Sequence, residues 1–180
     1  MKIGRSPGTM GQVQIRPKLD SDAAACVRLL LEVHSADSYP RHWPKDPAVF
    51  INPPRQTAAW VAEDHDALVG HVALHAAHND PTLPAAQRAT GLPADGLAVV
   101  ARLLVAPAAR HQGLGKALLA HATRQARAAG QRAVLDVTRD ADGPIAMYEA
   151  AGWSRLEPAT LTLDDGASLA LWVYLSPATS

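Results

Sequence analysis

The segment from Val105 to Leu119, "VAPAARHQGLGKALL", places Gly113 and Gly115 at the mouth of an expected helix, with Arg110, His111 and Lys116 beside them. The first N–H groups of a helix have no intrahelical partner, and the aligned peptide dipoles add partial positive charge there. Glycine removes the Cβ atoms that would hold an anion away from those amides, so the stretch suits a diphosphate. Two nucleotide motifs fail on it. A Walker A loop needs glycine where Arg110 stands and Ser or Thr where Ala117 stands. A dinucleotide fingerprint needs a small residue where Leu118 stands and a tighter turn than Ala106 to Gln112 allows, which leaves Asp136 a coincidence as a ribose contact. A turn that holds no ligand is the plain alternative.

A second group is "HVALHAAH", with His71, His75 and His78. On a strand His71 and His75 share a face but lie about 13 Å apart at ~3.3 Å per residue, too far for one metal ion. No metal is expected; the histidines either face a pocket or are solvated. Cys26 stands alone, cannot form an internal disulfide, and reads as a core residue of the first helix.

These side chains need a scaffold. With 180 residues, 48% of them hydrophobic, the chain suits one domain, residues 12–180, behind a flexible N-terminus of residues 1–11. The 17 basic and 17 acidic residues balance, which gives no field for nucleic acid or an anionic membrane. No run is apolar enough to span a bilayer and the start does not resemble a signal peptide, so a cytoplasmic protein is expected.

"QVQIRP" reads as a first strand, followed by a helix with Ala23, Val27, Leu30 and Leu31 on one face. The proline-broken "SADSYPRHWPKDPAVFINPPRQ" permits only short helical turns. "AAWVAED" and "ALVGHVALHAA" form a hairpin across His65 and Asp66, and "HNDPTLPAAQRATGLPADG" reads as a loop with room for one helical turn. "LAVVARLLV" is a strand buried on both faces, and Leu114, Ala117, Leu118, His121, Ala122 and Gln125 mark a helix that Gly130 ends. "RAVLDV", the helix "PIAMYEAAGW", and the strands "ATLTL" and "SLALWVYL" complete the order β-α-(excursion)-β-β-β-α-β-α-β-β.

Read whole, "VAPAARHQGLG" has the form Val-x-Pro-x-x-Arg-x-x-Gly-x-Gly and resembles the pyrophosphate-binding motif of the GNAT superfamily of N-acetyltransferases. "AMYEAAGW" is similar to that family's Leu-Tyr-Glu-x-x-Gly-Phe segment, and "VQIRPKLDSDAAACVRLL" to its first strand and helix. The resemblance implies an α/β fold (α+β, mixed sheet): a mostly antiparallel sheet of six to seven strands flanked by helices and splayed between strands 4 and 5. It implies acetyl-CoA as cosubstrate, its diphosphate held by Arg110, His111, Gln112, Gly113, Leu114, Gly115 and Lys116. Its pantetheine arm would add as a strand to the free backbone groups of Leu103, Leu104 and Val105, one of whose amides would meet the oxyanion.

Tyr148 matches the family tyrosine beside the cofactor sulfur and is the expected catalytic acid. The family's strand-4 carboxylate is absent, with Val99 and Val100 in its place, and Ala141 replaces its asparagine. Glu63, His71, His75 and Asp37 stay open as bases. Tyr39, His42 and Trp43 lie on the segment that in the family shapes the acceptor site; Tyr39, Trp43 and His75 are the expected substrate residues. The partner implied is a small amine, not nucleic acid or membrane, and a homodimer is compatible. The expectation is an enzyme transferring acetyl directly to a primary amine of a small or amino-acid-like acceptor. A non-catalytic CoA sensor and an acetylase of peptide N-termini are the alternatives.

Overall fold

The computed structural model describes residues 13–163 and 165–178. The expected flexible stretch 1–11 and the start of the first strand at Gln12 lie outside them. One sheet of seven strands runs through the molecule in the order β1-β2-β3-β4-β5-β7-β6. The strands are β1 (Gln14–Pro17), β2 (Gln56–Asp64), β3 (Ala67–Ala76), β4 (Leu97–Val105), β5 (Arg132–Thr138), β6 (Ser154–Thr162) and β7 (Ser168–Leu175). All neighbours are antiparallel except β4 and β5. The β2–β3 hairpin turns on His65 and Asp66, both at positive φ (46° and 64°), as a two-residue turn requires.

The helices are α1 (Ala23–Asp37), α2 (Pro47–Ile51), α3 (Leu83–Thr90), α4 (Leu114–Ala128) and α5 (Asp142–Ala150). In α1 the buried stripe is Cys26, Leu29, Leu30 and Val33, spaced i, i+3, i+4, i+7; Leu31 is 51% exposed, so the expected face was set about one residue off. The prolines do confine the excursion to one short helix, α2. The segment read as a loop holds α3, two turns long. Its start is fixed by Asp80, whose carboxylate accepts from the Thr82 amide (3.0 Å) and hydroxyl (2.7 Å), and Gly91 ends it at φ 71°. Ala85 and Ala86 bury its inner face, too small a stripe to register as hydrophobic periodicity.

The two faces of the sheet differ. Val72, Leu74, Ala98, Val100, Ala133 and Leu135 pack with Leu118, Leu119 and Ala122 of α4. On the other face Val61 and Leu104 meet α1, while Leu97, Val99, Val134 and Val173 meet α3. In α4 the buried residues are Leu114, Leu118, Leu119, Ala122 and Ala126; Ala117 and Gln125, expected on that face, are exposed. Val99 and Val100 are 3% and 5% exposed, core residues at the position where a carboxylate was sought. No helix among the described residues is long and apolar enough to cross a membrane.

Candidate active site

The sheet opens where β4 and β5 part. Their pairing covers Leu97, Ala98 and Val99 against Arg132, Ala133 and Val134 and goes no further, although β4 runs on to Val105. On its other side β4 stays bonded to β3, with His71 opposite Leu104 and Gly70 opposite Val105, and the Ala106 amide donates to the Val69 carbonyl at 2.9 Å. Antiparallel alternation then turns the amide and carbonyl of Leu104 toward β3 and those of Leu103 and Val105 into the gap. Of the three residues expected to offer backbone groups, Leu104 is therefore committed to the sheet.

The glycine-rich turn caps this gap. Helix α4 begins after Gly113, at φ 78°, with no side-chain cap, and its first backbone bond is Ala117 N–H to the Gly113 carbonyl at 3.0 Å. The amides before Ala117 have no partner within the helix, the arrangement that suits an anion. A Cβ built on Gly113 meets nothing within 4 Å, whereas one on Gly115 would lie 3.3 Å from Met147 Sδ, so Gly115 lets the helix start pack on α5. His111, exposed at φ 60°, and Lys116, also exposed, flank the turn. Arg110 differs from expectation: its guanidinium is clamped by Asp37 through bonds of 2.9 and 2.6 Å and donates to the Val105 carbonyl at 3.3 Å. It fastens the turn to the end of α1, and its charge is largely answered by Asp37.

The cradle fits a diphosphate because Gly113 leaves open the space a side chain would fill. Gly113→Val should raise the Kd for CoA by about 10-fold or more, and the left-handed backbone should cost roughly 1–2 kcal/mol of stability. With no protein atom to strike, the variant should still fold. Calorimetry with CoA checks this, and unchanged affinity would overturn the assignment of the turn.

Tyr148 stands on α5, 8% exposed, its ring 5.9 Å from Tyr174 and 6.3 Å from Trp153. Burial, and then the nearby Tyr39 and Asp136, push its pKa upward, so the phenol keeps its proton. Asp136 lies on β5 two residues past Val134, the last residue paired with β4, and on the same face as Val134. Burial, helped by Asp80 and opposed by Arg102 and Arg55, raises its pKa to about 6. The residue keeps some surface, but its carboxyl is largely removed from water. Sequence reasoning set Asp136 aside; the available signal was one carboxylate inside the apolar run that follows Arg132 in "RAVLDV".

The bases first considered lie elsewhere or are engaged. Glu63 accepts from Arg16 Nε at 2.6 Å, out where β2 pairs with β1, and Asp37 is held by Arg110. His71 and His75 do share a face but are neither solvated nor open to a pocket: both are 0% exposed. Burial lowers their pKa values to about 4 and about 3, so both are neutral near pH 7. His75 therefore does not present itself to an acceptor. Tyr39 is 39% exposed and near Tyr148; Trp43, also 39% exposed, lies tilted at 53° against His34 with ring centroids 5.1 Å apart. Hollows of about 270 and 380 Å³ lie at the α4–β5 turn and between α1 and the β2–β3 turn; of the candidate residues above, only Glu63 lines one of them, the second.

A buried histidine whose folded pKa is lowered stabilises the fold above its ordinary value near 6.5, and that stability is lost as pH falls toward the folded value. One such residue accounts for about 2 kcal/mol between pH 7 and pH 5. His75→Leu should shrink the fall in Tm over that interval by about 4–8 °C. Melting curves at the two pH values test it; an undiminished fall would show that His75 is not the buried neutral group described.

Residues 25–153 match the model of the Acetyltransferase (GNAT) family. The chain belongs to that family and is an acetyl-CoA-dependent N-acetyltransferase. No curated protein matches it. Among solved structures it is similar to an N-acetyltransferase from Staphylococcus aureus Mu50 (16% identity, 92% of this chain and 98% of that one, TM-score 0.69). It is also similar to NAA60 of Arabidopsis thaliana in complex with acetyl-CoA (16%, 91% and 97%, TM-score 0.67). A third is the ribosomal-protein-S18-alanine N-acetyltransferase from Escherichia coli (18%, 93% and 97%, TM-score 0.65). At these identities the likeness is one of fold.

Proposed function

We propose that the chain acetylates the primary amine of a small or amino-acid-like acceptor, by direct transfer within a ternary complex and without a covalent enzyme intermediate. The observation that carries this reading is the meeting, at the open end of β4 and β5, of four features. These are a helix start with free amides, the outward backbone groups of Leu103 and Val105, the protonated phenol of Tyr148 and the carboxyl of Asp136.

Bound acetyl-CoA supplies an activated acetyl group and a thiol leaving group. Backbone amides from Arg110 to Lys116 hold the diphosphate, while Leu103 and Val105 orient the pantetheine arm as an added strand. Asp136, ionised above about pH 6, accepts the proton that an arriving ammonium must lose before its nitrogen can attack. The Tyr148 hydroxyl donates toward the departing sulfur. Tyr39, near Tyr148, lines the acceptor side.

A base on β5 answers the lack of one on β4. The test is release of free thiol from acetyl-CoA by the purified chain, with and without amines, over a panel of small amines, amino acids and short peptides. Thiol release that depends on a small amine is the expected result; none with any amine would leave a CoA-binding protein, and release with peptides alone would leave an N-terminal acetylase.

A further inference from the structure

Arg102 has a backbone that its side chain does not favour, φ 53°, in the middle of β4. The strand bulges there: the register against β3 shifts between His71/Leu104 and Ala73/Ala101, so β4 carries an additional residue. Two neighbours hold the bulge. His71 is hydrogen-bonded through Nδ1 to the Arg102 carbonyl at 2.8 Å, and since a carbonyl only accepts, the proton of this buried neutral ring sits on Nδ1. Arg102 Nε donates to the Phe50 carbonyl of α2 at 2.8 Å, and the guanidinium lies 3.6 Å over the Phe50 ring. The guanidinium plane is thus fixed through one edge and one face.

What remains is the end of the fork. Nη1 and Nη2 of Arg102 make no hydrogen bond or ion pair among the described residues, although the side chain is half-buried. Arg55, the other arginine whose field reaches Asp136, is spent on Asp80 at 2.6 Å. Arg102 is not in ion-pair contact with Asp136 but is near enough to act on its charge. A half-desolvated guanidinium, held rigid with its two terminal nitrogens free, matches one ligand group above others: a carboxylate taken by both nitrogens at once. With Asp136 receiving the amine, the site offers a negative group for one end of a small zwitterion and a positive group for the other.

We propose that Arg102 is the specificity-determining residue for the acceptor, binding a carboxylate a few bonds from the amine, so that the substrate class is amino acids with both groups free. His71 acts as a positioning residue that sets the bulge from behind. This deepens the reading of the same site given above and rests on it.

The experiment compares thiol release from acetyl-CoA with free α- and β-amino acids, their carboxamides and their decarboxylated amines, using the full chain and its Arg102→Gln and Arg102→Lys variants. The wild-type chain should favour at least one free acid over its carboxamide by about 30-fold or more in kcat/KM. Arg102→Gln should bring that ratio close to one, chiefly by raising KM for the acid. Any loss on the carboxamide should be much smaller than the loss on the acid, so the acid-to-amide ratio carries the effect, and Arg102→Lys should recover part of the preference. Wild-type acetylation that is indifferent to the carboxylate overturns the proposal without any variant, as does an equal loss on acid and amide in Arg102→Gln. Absence of thiol release with every amine fails the catalytic reading itself, a result distinct from amine acetylation that ignores the carboxylate.

Discussion

Asp136→Asn is expected to lower kcat by about 10²- to 10⁴-fold, the range for removing a positioned general base, and to make the protein more stable near neutral pH. The two effects share a cause. In the folded chain the carboxyl titrates at about 6 against an ordinary 3.8, because burial opposes its charge. A group whose folded pKa is raised contributes stability that is present at low pH and lost as pH rises through the folded value. At pH 7.5 Asp136 is ionised against that resistance, at a cost on the order of 1–3 kcal/mol, and asparagine carries no such charge. Tm at pH 7.5 should rise by a few degrees while turnover collapses, and the acidic limb of the rate profile near pH 6 should disappear. Turnover close to wild type would remove Asp136 from the mechanism. A lower Tm together with lower turnover would point instead to a packing role.

How far the sequence disclosed this site depends on how local each part is. The turn proposed to hold the diphosphate was legible as a turn because one short segment carries all of it: the glycines, the positive φ at Gly113 and the helix start depend on near neighbours alone. The succession of strands along the chain followed from apolar runs and turn residues. The base proposed here was not legible, because the placement of Asp136 depends on where β4 and β5 stop pairing, and no local pattern reports that. Glu63 and Asp37 looked equally available in the sequence; arginines 47 and 73 positions away remove them. The same holds for Arg102, one charge in an apolar strand until the bulge and the Phe50 ring give it an orientation. Helix α3 was missed for a local reason of another kind: its inner face is made of alanines, and its first turn is fixed by a side-chain hydrogen bond instead of a hydrophobic stripe.

If, as proposed, the hydroxyl serves the departing sulfur, Tyr148→Phe should lower kcat by about 10- to 1000-fold with the Kd for CoA unchanged. The ring itself is structural, packed against Tyr174 and Trp153, and phenylalanine keeps that packing. The hydroxyl has no hydrogen-bond partner among the described residues, whereas that of Tyr174 donates to Glu149 at 2.8 Å, so its removal strands no buried group and should change stability by less than about 1 kcal/mol. Since burial holds the phenol in its protonated form, the loss should be uniform from pH 6 to pH 9. Donor chemistry separates proton delivery from packing. A thioester whose thiol is more acidic than that of CoA needs less help to leave, so the deficit of Tyr148→Phe should shrink with that donor if the tyrosine serves the sulfur. An equal deficit with both donors would mean that the hydroxyl acts elsewhere, on the acceptor or on the acetyl oxygen.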